Sequence, residues 1–484
     1  MSKNRTAWWG RALMRRSLMP VLLHFAVILA GHAQAPIKLS DDLQKGQILA
    51  PVISPSEPKY SYAVYIPSYY KEDTIYPVIF AFDPGARGAT PVGRLREAAE
   101  KFGYIVVASN NSRNGLVNPG PVINTMFEDT FQRFPIDRKR VYLAGLSGGA
   151  RLSLSIAVAM KGAAAGVIIC GAGFSPGADP TRDLPFVIYG TVGDEDFNYS
   201  EMRGLDETLT KLDIPHHIQI FAGTHEWASS ELCLKAVEWL ELQATKKALR
   251  KKDDAFIESV WKRGLDEISS FDTHGKSFEA FNAVNSLVQD LRGLHDVSDA
   301  EKKLGTLRDD KAVKQALKND RDDIAKEEKL RNRLISPGMG LILGGESDQG
   351  TTLVEIRNLA ADIRKRSEAA ENTNDRRVAR RVLRSATAYF HETATLNLIP
   401  AKKFDSAIIY LQIGTELAPK NTMLYIEIAR LQMTINQKKA ALRSLQTAVE
   451  RGFTDLKLLA GDKTFDPLHS EAEWNKLSEA LMDR

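Results

Sequence analysis

The sequence predicts an α/β protein: a mostly parallel β-sheet with helices on both faces, followed by an all-α region. Three observations carry this expectation. Up to about residue 245, short apolar runs alternate with stretches of helical periodicity, the alternation that builds parallel sheets. Several runs, Tyr76–Asp83 (YPVIFAFD) among them, are continuously apolar, the pattern of strands buried on both faces. From Lys246 onward no strand pattern remains, and charged sequence with apolar residues at 3–4 spacing continues to Arg484. With 43% hydrophobic and 26% charged residues, the 484-residue chain has the composition of a soluble globular protein and the length for two or three domains.

The first residues stand apart. Lys3, Arg5, Arg11, Arg15 and Arg16 form a basic stretch without an acid, and Leu18–Ala30 is apolar. Ala33-Gln34-Ala35 then offers small residues for cleavage, and Pro36 favours a cut after Ala33. Residues 1–33 are therefore expected to be a signal peptide, with the mature chain secreted or periplasmic. The apolar run is short for a membrane span, so no stable span is expected after cleavage. Removing five cations takes the formal net charge from +4 to −1. No basic footprint for nucleic acid remains. Cys170 and Cys233, the only cysteines, fall in an apolar strand and an apolar-periodic helix, which favours two buried thiols over a disulfide.

Residues 34–57 read as a polar, proline-containing lead-in, and the α/β domain is expected over 58–245. Its strands are expected at 60–65, 76–83, 104–109, 141–144, 166–170, 186–192 and 217–221. The helices between them are expected near 92–102, 122–134, 150–161, 199–212 and 229–242. In such a sheet, ligand sites lie at the carboxyl ends of the strands. The chemistry-bearing residues are therefore sought there.

Arg140–Arg151 (RVYLAGLSGGAR) is the first such place. An apolar strand meets Gly145-Leu146-Ser147-Gly148-Gly149, and a helix-compatible run follows. Strand, Gly-x-Ser-x-Gly and helix make a nucleophile elbow, with the serine hydroxyl exposed on a strained turn. Gly145 and Gly149 leave room for the close chain approach such a turn requires. Gly148 can direct its N–H at a developing oxyanion from a helix N-terminus. Activation needs a base and a carboxylate to orient it, expected in the order Ser, Asp or Glu, His. The strand at 186–192 ends in Gly193-Asp194-Glu195-Asp196. Gly193-x-x-Asp196 is the turn that swings a carboxylate over the sheet, so Asp196 is the expected acid and Asp194 the alternative. Of nine histidines, His225 alone follows the acid at a strand's carboxyl end, behind Gly223. A second oxyanion donor is expected from the loop after the strand at 76–83, where the backbone N–H groups of Gly85 or Ala86 are candidates. Nothing in this set implies a metal or an organic cofactor.

Residues 58 to 243 resemble the α/β-hydrolase superfamily, and most resemble secreted esterases of the polyhydroxybutyrate-depolymerase and dienelactone-hydrolase kind. The likeness rests on Gly145–Gly149, the loop carrying Asp196, and Gly223-Thr224-His225-Glu226-Trp227. It implies a serine esterase with Ser147 as nucleophile, Asp196 as acid and His225 as base. One departure is Asp83-Pro84-Gly85, where many relatives carry His-Gly-Gly. The short connection between the strands at 166–170 and 186–192 leaves no space for a lid, which suits small or chain-end esters. A serine peptidase resembling the prolyl oligopeptidase catalytic domain shares the triad order, but residues 36–58 cannot hold that family's propeller. A different class of reading is a non-catalytic scaffold that binds through its helices.

The helical region divides into 246–387 and 388–484. Ile335–Thr352, with Pro337 and several glycines, reads as a connecting loop between helices. No strand precedes its glycines and no Gly-Lys-Ser/Thr follows, so it is not read as a nucleotide loop. Further on, Ala407, Leu411 and Gly414 recur 34 residues later as Ala441, Leu445 and Ala448. Pro419 follows, and residues 388–453 resemble one and a half tetratricopeptide units. That resemblance implies a protein-binding surface, so a protein partner is expected through the helices.

Overall fold

The structure is a computed structural model that describes residues 43–342 and 348–482. The expected signal peptide and the first part of the lead-in lie outside the described residues. The chain forms two compact units, Met1–Arg321 and Asp322–Arg484.

The first unit is built on one eight-stranded sheet. Its strands are β1 (Ile48–Ile53), β2 (Ser61–Tyr65), β3 (Tyr76–Phe82), β4 (Ile105–Ser109), β5 (Ile136–Leu146), β6 (Gly166–Cys170), β7 (Val187–Gly193) and β8 (His216–Phe221). They lie in the order β1-β2-β4-β3-β5-β6-β7-β8. β2 runs antiparallel to both β1 and β4, and every other pairing is parallel. Between the strands come α1 (Ala89–Phe102), α2 (Gly120–Arg133), α3 (Gly148–Ala159), α4 (Tyr199–Lys211) and α5 (Ser230–Lys246). Alternation along the central strands divides their side chains between two faces. Ile79, Ala81, Val106 and Ala144 pack with Leu95 of α1 and Leu240 of α5. Phe80, one residue from Ile79, points the other way and stacks on Phe127 of α2 with ring centroids 3.8 Å apart.

β1 lies within residues 34–57, which the sequence reads as a polar, proline-containing lead-in with no strand assigned. Pro51 masks this strand in the sequence because a proline removes one ladder donor. At a sheet edge that loss is tolerated, and the pairing with β2 shifts register between Leu49 and Val52, across the proline.

Among the described residues no strand follows β8. The first unit nevertheless continues beyond residue 245, through α6 (Asp254–Thr273), α7 (Ser277–Leu291) and α8 (Ser298–Asp309) into the start of α9 (Lys311–Ile342). The change at residue 245 is one of secondary structure, not of compactness. Asp290 of α7 accepts from Trp239 Nε1 of α5 at 2.7 Å and lies 3.6 Å from His217 Nδ1 of β8. Asp320 accepts from Arg203 and from the Tyr199 hydroxyl, both on α4, at 2.9 and 3.0 Å. Leu242 joins Ile257, Val284 and Leu287 in one buried cluster. Cys170 and Cys233 are buried free thiols, and burial raises both pKa values.

The second unit is helical throughout its described residues. α9 is followed by α10 (Gln349–Ser367), α11 (Asn374–Glu392), α12 (Phe404–Leu417), α13 (Thr422–Thr434) and α14 (Lys438–Glu450), and shorter helices end the chain. The expected loop from Ile335 begins instead as helix, because α9 runs through Pro337 to Ile342. Leu334, Ile335 and Leu341 join one apolar cluster there, so burial outweighs the one lost backbone hydrogen bond. Gly338 permits the packing: a Cβ on it would stand 2.6 Å from the Phe390 ring. The recurring residues Ala407, Leu411, Ala441, Leu445 and Ala448 are all buried, on α12 and α14.

Candidate active site

Ser147 sits between β5 and α3 with φ 54° and ψ −121°, a conformation that costs a non-glycine residue on the order of 1–3 kcal/mol. Its N–H donates to the Cys170 carbonyl at 2.9 Å, which ties the turn to the end of β6. The glycines around it are sterically required. A Cβ on Gly145 would fall 2.2 Å from the Gly149 carbonyl, and one on Gly149 would fall 2.0 Å from the Phe82 carbonyl. The chain therefore turns from strand to helix more tightly than any side chain at these two positions allows. Gly148 opens α3, and its N–H has no partner among the described residues.

His225 follows β8. Its Nδ1 lies 2.9 and 3.0 Å from the two carboxylate oxygens of Asp196. Asp196 is 1% exposed. The turn that carries it is closed by its N–H to the Gly193 carbonyl at 3.0 Å, and the Asn198 N–H donates to Oδ1 at 2.8 Å. Asn198 Nδ2 in turn donates to the Gly171 carbonyl at 2.7 Å. A carboxylate on Nδ1 fixes the tautomer and leaves Nε2 as the base. His225 Nε2 is buried and has no hydrogen-bond partner among the described residues, Ser147 included. The Phe197 ring lies over the imidazole with centroids 4.0 Å apart. Gly171 (φ 63°), one residue past the Cys170 that holds Ser147, completes the corner. A Cβ there would come within 2.7 Å of Asp196 Oδ2 and 2.9 Å of His225 Nδ1.

Asp194, the alternative acid, has a different environment. It accepts from the Gly223 N–H at 3.1 Å, and its own N–H donates to the Phe221 carbonyl at 2.8 Å. It thus clamps the acid loop to the histidine loop. Gly193 belongs to the same clamp, since a Cβ on it would stand 2.4 Å from the Gly223 carbonyl.

The loop after β3 overturns one expectation. The N–H groups of Gly85 and Ala86 do not face an open site. Gly85 donates to Asp83 Oδ1 at 2.8 Å, and Ala86 donates to the Asp83 carbonyl at 2.9 Å. The Asp83 carboxylate is fully buried and draws the Gly85 N–H inward, while the Ala86 N–H closes a turn on the Asp83 carbonyl. The carboxylate also accepts from Arg87 Nε at 2.9 Å and from Trp227 Nε1 at 2.9 Å. Burial alone would raise the Asp83 pKa. The donors from Arg87, Trp227 and the loop backbone outweigh burial and hold it below the ordinary carboxylate value. Trp227 lies two residues past His225, so this one carboxylate couples the loop after β3 to the histidine loop. The sequence carries one sign of it, the Asp83-Pro84-Gly85 departure; the pairing with Trp227 is a contact across the fold.

An open groove of about 810 Å³ lies in the helical unit, lined by residues including Lys329, Arg333 and Pro337. It contains none of Ser147, Asp196 and His225.

Ser147, Asp196 and His225 thus stand at the carboxyl ends of β5, β7 and β8, in an α/β-hydrolase fold set by the strand order and the elbow. No family model matches the chain, and no curated protein matches it. Among solved structures the chain is similar to an S-formylglutathione hydrolase from Staphylococcus aureus, at 15% identity and a TM-score of 0.33 over 41% of this chain and 98% of the other. It is similar to a ferulic acid esterase, at 15% identity and a TM-score of 0.32, over 40% and 95%. It is also similar to an acylaminoacyl peptidase from Pyrococcus horikoshii, at 16% identity and a TM-score of 0.31, over 40% of each chain.

Proposed function

We propose that this protein is an exported serine hydrolase that cleaves carboxylic esters through an acyl-enzyme intermediate. The observation that carries the reading is His225. Its Nδ1 is held by a buried carboxylate, its Nε2 is buried and without a hydrogen-bond partner among the described residues, and a strained serine sits at the carboxyl end of β5 in the same sheet. Ser147 Oγ attacks the ester carbonyl carbon while His225 Nε2 takes the hydroxyl proton. The tetrahedral oxyanion is met by the Gly148 N–H. Collapse breaks the bond to the alcohol oxygen, and His225 returns its proton to that oxygen. Water then repeats the sequence on the acyl-serine, releasing the acid and restoring Ser147. Asp196 holds the imidazole and stabilises its charged form throughout. Residues 171–186, between β6 and β7, contain no helix. That connection thus inserts no lid helix, which suits small or chain-end esters.

Turnover of p-nitrophenyl acetate by single-residue variants tests this reading. Ser147→Ala should lower kcat by a factor on the order of 10⁴ or more with the fold retained. Asp196→Asn should lower it far more than Asp194→Asn, because an amide at 196 favours the wrong imidazole tautomer. Near-full activity in Ser147→Ala would refute the nucleophile. A larger loss at Asp194 would reverse the choice of acid.

A further inference from the structure

Serine hydrolases surround the developing oxyanion with preorganised donors, and loss of one donor costs about 10²–10³ in kcat. Here the loop after β3 supplies none. Pro84 has no N–H. Gly85 and Ala86 donate to Asp83, and the Arg87 N–H also points to Asp83 Oδ1, at 3.3 Å. Gly88 donates to Asn110 Oδ1 at 3.1 Å. Freeing the Gly85 or Arg87 N–H would strip a donor from a buried carboxylate, and freeing the Ala86 N–H would open the turn it closes on the Asp83 carbonyl. The Gly148 N–H, directly after the nucleophile, is left as the backbone donor for the oxyanion.

The loop after β4 brings a second polar group to this place. The Asn114 N–H donates to the Pro84 carbonyl at 2.8 Å, which fixes the loop against the one after β3. The Asn114 carboxamide then lies against the residue that follows the nucleophile. A Cβ on Gly148 would stand 2.0 Å from Asn114 Oδ1, 2.7 Å from Cγ and 2.8 Å from Nδ2. A side chain at 148 would therefore displace the carboxamide from this place. Asn114 is exposed, and its carboxamide makes no hydrogen bond among the described residues. A half-turn about Cβ–Cγ exchanges its donor and acceptor ends. The anchoring of the loop is done by the backbone N–H, so the side chain has no structural partner to account for its position.

We propose that Asn114 is a catalytic residue whose Nδ2–H joins the Gly148 N–H in binding the oxyanion. The assignment rests on the serine-hydrolase reading above. It places one donor on the side chain of the β4 loop, where the loop after β3 would ordinarily supply a backbone group.

The test uses the full chain and two variants, Asn114→Asp, which keeps the shape and removes the donor, and Asn114→Ala. Three quantities are measured: p-nitrophenyl acetate kinetics, the inhibition constant of phenylboronic acid, and the melting temperature. Phenylboronic acid adds Ser147 Oγ to boron and becomes tetrahedral, so it reports the oxyanion site without turnover. In both variants kcat should fall about 10²–10³-fold with KM within about threefold of wild type. Boronate affinity should fall alongside kcat, and the melting temperature should stay unchanged. Undiminished kcat in either variant, or boronate affinity that does not follow kcat, overturns the assignment. A fall in melting temperature with KM and kcat lost together also overturns it, since that marks a loop support. If wild type neither hydrolyses the ester nor is labelled at Ser147 by a fluorophosphonate, the parent reading falls and takes the assignment with it. Active wild type with unaltered variants overturns the role of Asn114 alone.

Discussion

Asp83 shows how a single buried charge can organise a site from behind. It accepts from the backbone and side chain of Arg87, from Gly85 and from Trp227, and it is fully buried. Its pKa is depressed in the folded state, so its contribution to stability is present above the ordinary carboxylate value of 3.8 and lost as pH falls through the lower folded value. The gap in melting temperature between wild type and Asp83→Asn should therefore be widest above that value and narrow as the solution is made more acid. A gap that is constant with pH, or that grows on acidification, would contradict this. At this scale the sequence is legible where chain order and strand ends coincide. Ser147, Asp196 and His225 each follow an apolar run, and each was reachable on that ground. The structure adds which of Asp194 and Asp196 meets His225. Asp83 is not legible in this way, because its partner Trp227 lies 144 residues away in the chain. The commitment of the Gly85 N–H follows from the burial of that carboxylate, and that of the Ala86 N–H from the turn on the Asp83 carbonyl.

At the scale of the element, the elbow is held by close backbone approach. Gly149→Ala would put a methyl group 2.0 Å from the Phe82 carbonyl, and neither main chain can retreat without disturbing the sheet. Overpacking of this kind typically costs about 1–3 kcal/mol, and more where backbone is struck. Gly204 is the control. It lies inside α4, and a Cβ there would meet nothing within 4 Å. Gly204→Ala should gain about 0.5–1 kcal/mol from helix propensity. Urea denaturation of the two variants checks the pair; a stable Gly149→Ala would contradict the reading of the elbow. The elements themselves are legible wherever period and burial agree, as in β3 and β4, which are apolar throughout. β1 and the C-terminal part of α9 escape the sequence for one reason. Pro51 and Pro337 read as breakers, and tertiary context tolerates each, at a sheet edge in one case and in an apolar cluster in the other.

For the molecule as a whole, the first compact unit is larger than its α/β part. α6, α7 and α8 cover Leu242 and provide Asp290 to Trp239 and His217. A chain ending at residue 242 would expose Leu242, which gains about 1.5–3 kcal/mol from burial, and would remove the Asp290 acceptor of Trp239 Nε1. A chain ending at residue 321 keeps those contacts. The shorter form should melt roughly 5–15 °C lower than the longer one and aggregate more readily. Equal melting temperatures would show that the helices beyond residue 242 contribute nothing to the α/β part. This extension is poorly legible in the sequence, because the change from strands to helices at residue 245 looks like a domain boundary and is not one.

The central claim is that Ser147 is a nucleophile activated by His225. Labelling of the full chain with a fluorophosphonate, followed by mass spectrometry of its peptides, tests that claim most directly. The reagent forms a bond only with a serine whose proton can be taken. The expected result is one labelled peptide carrying the phosphonate on Ser147, with labelling abolished in Ser147→Ala and slowed by about 10³-fold or more in His225→Ala. An unlabelled wild-type chain, or a label on another residue, would contradict it.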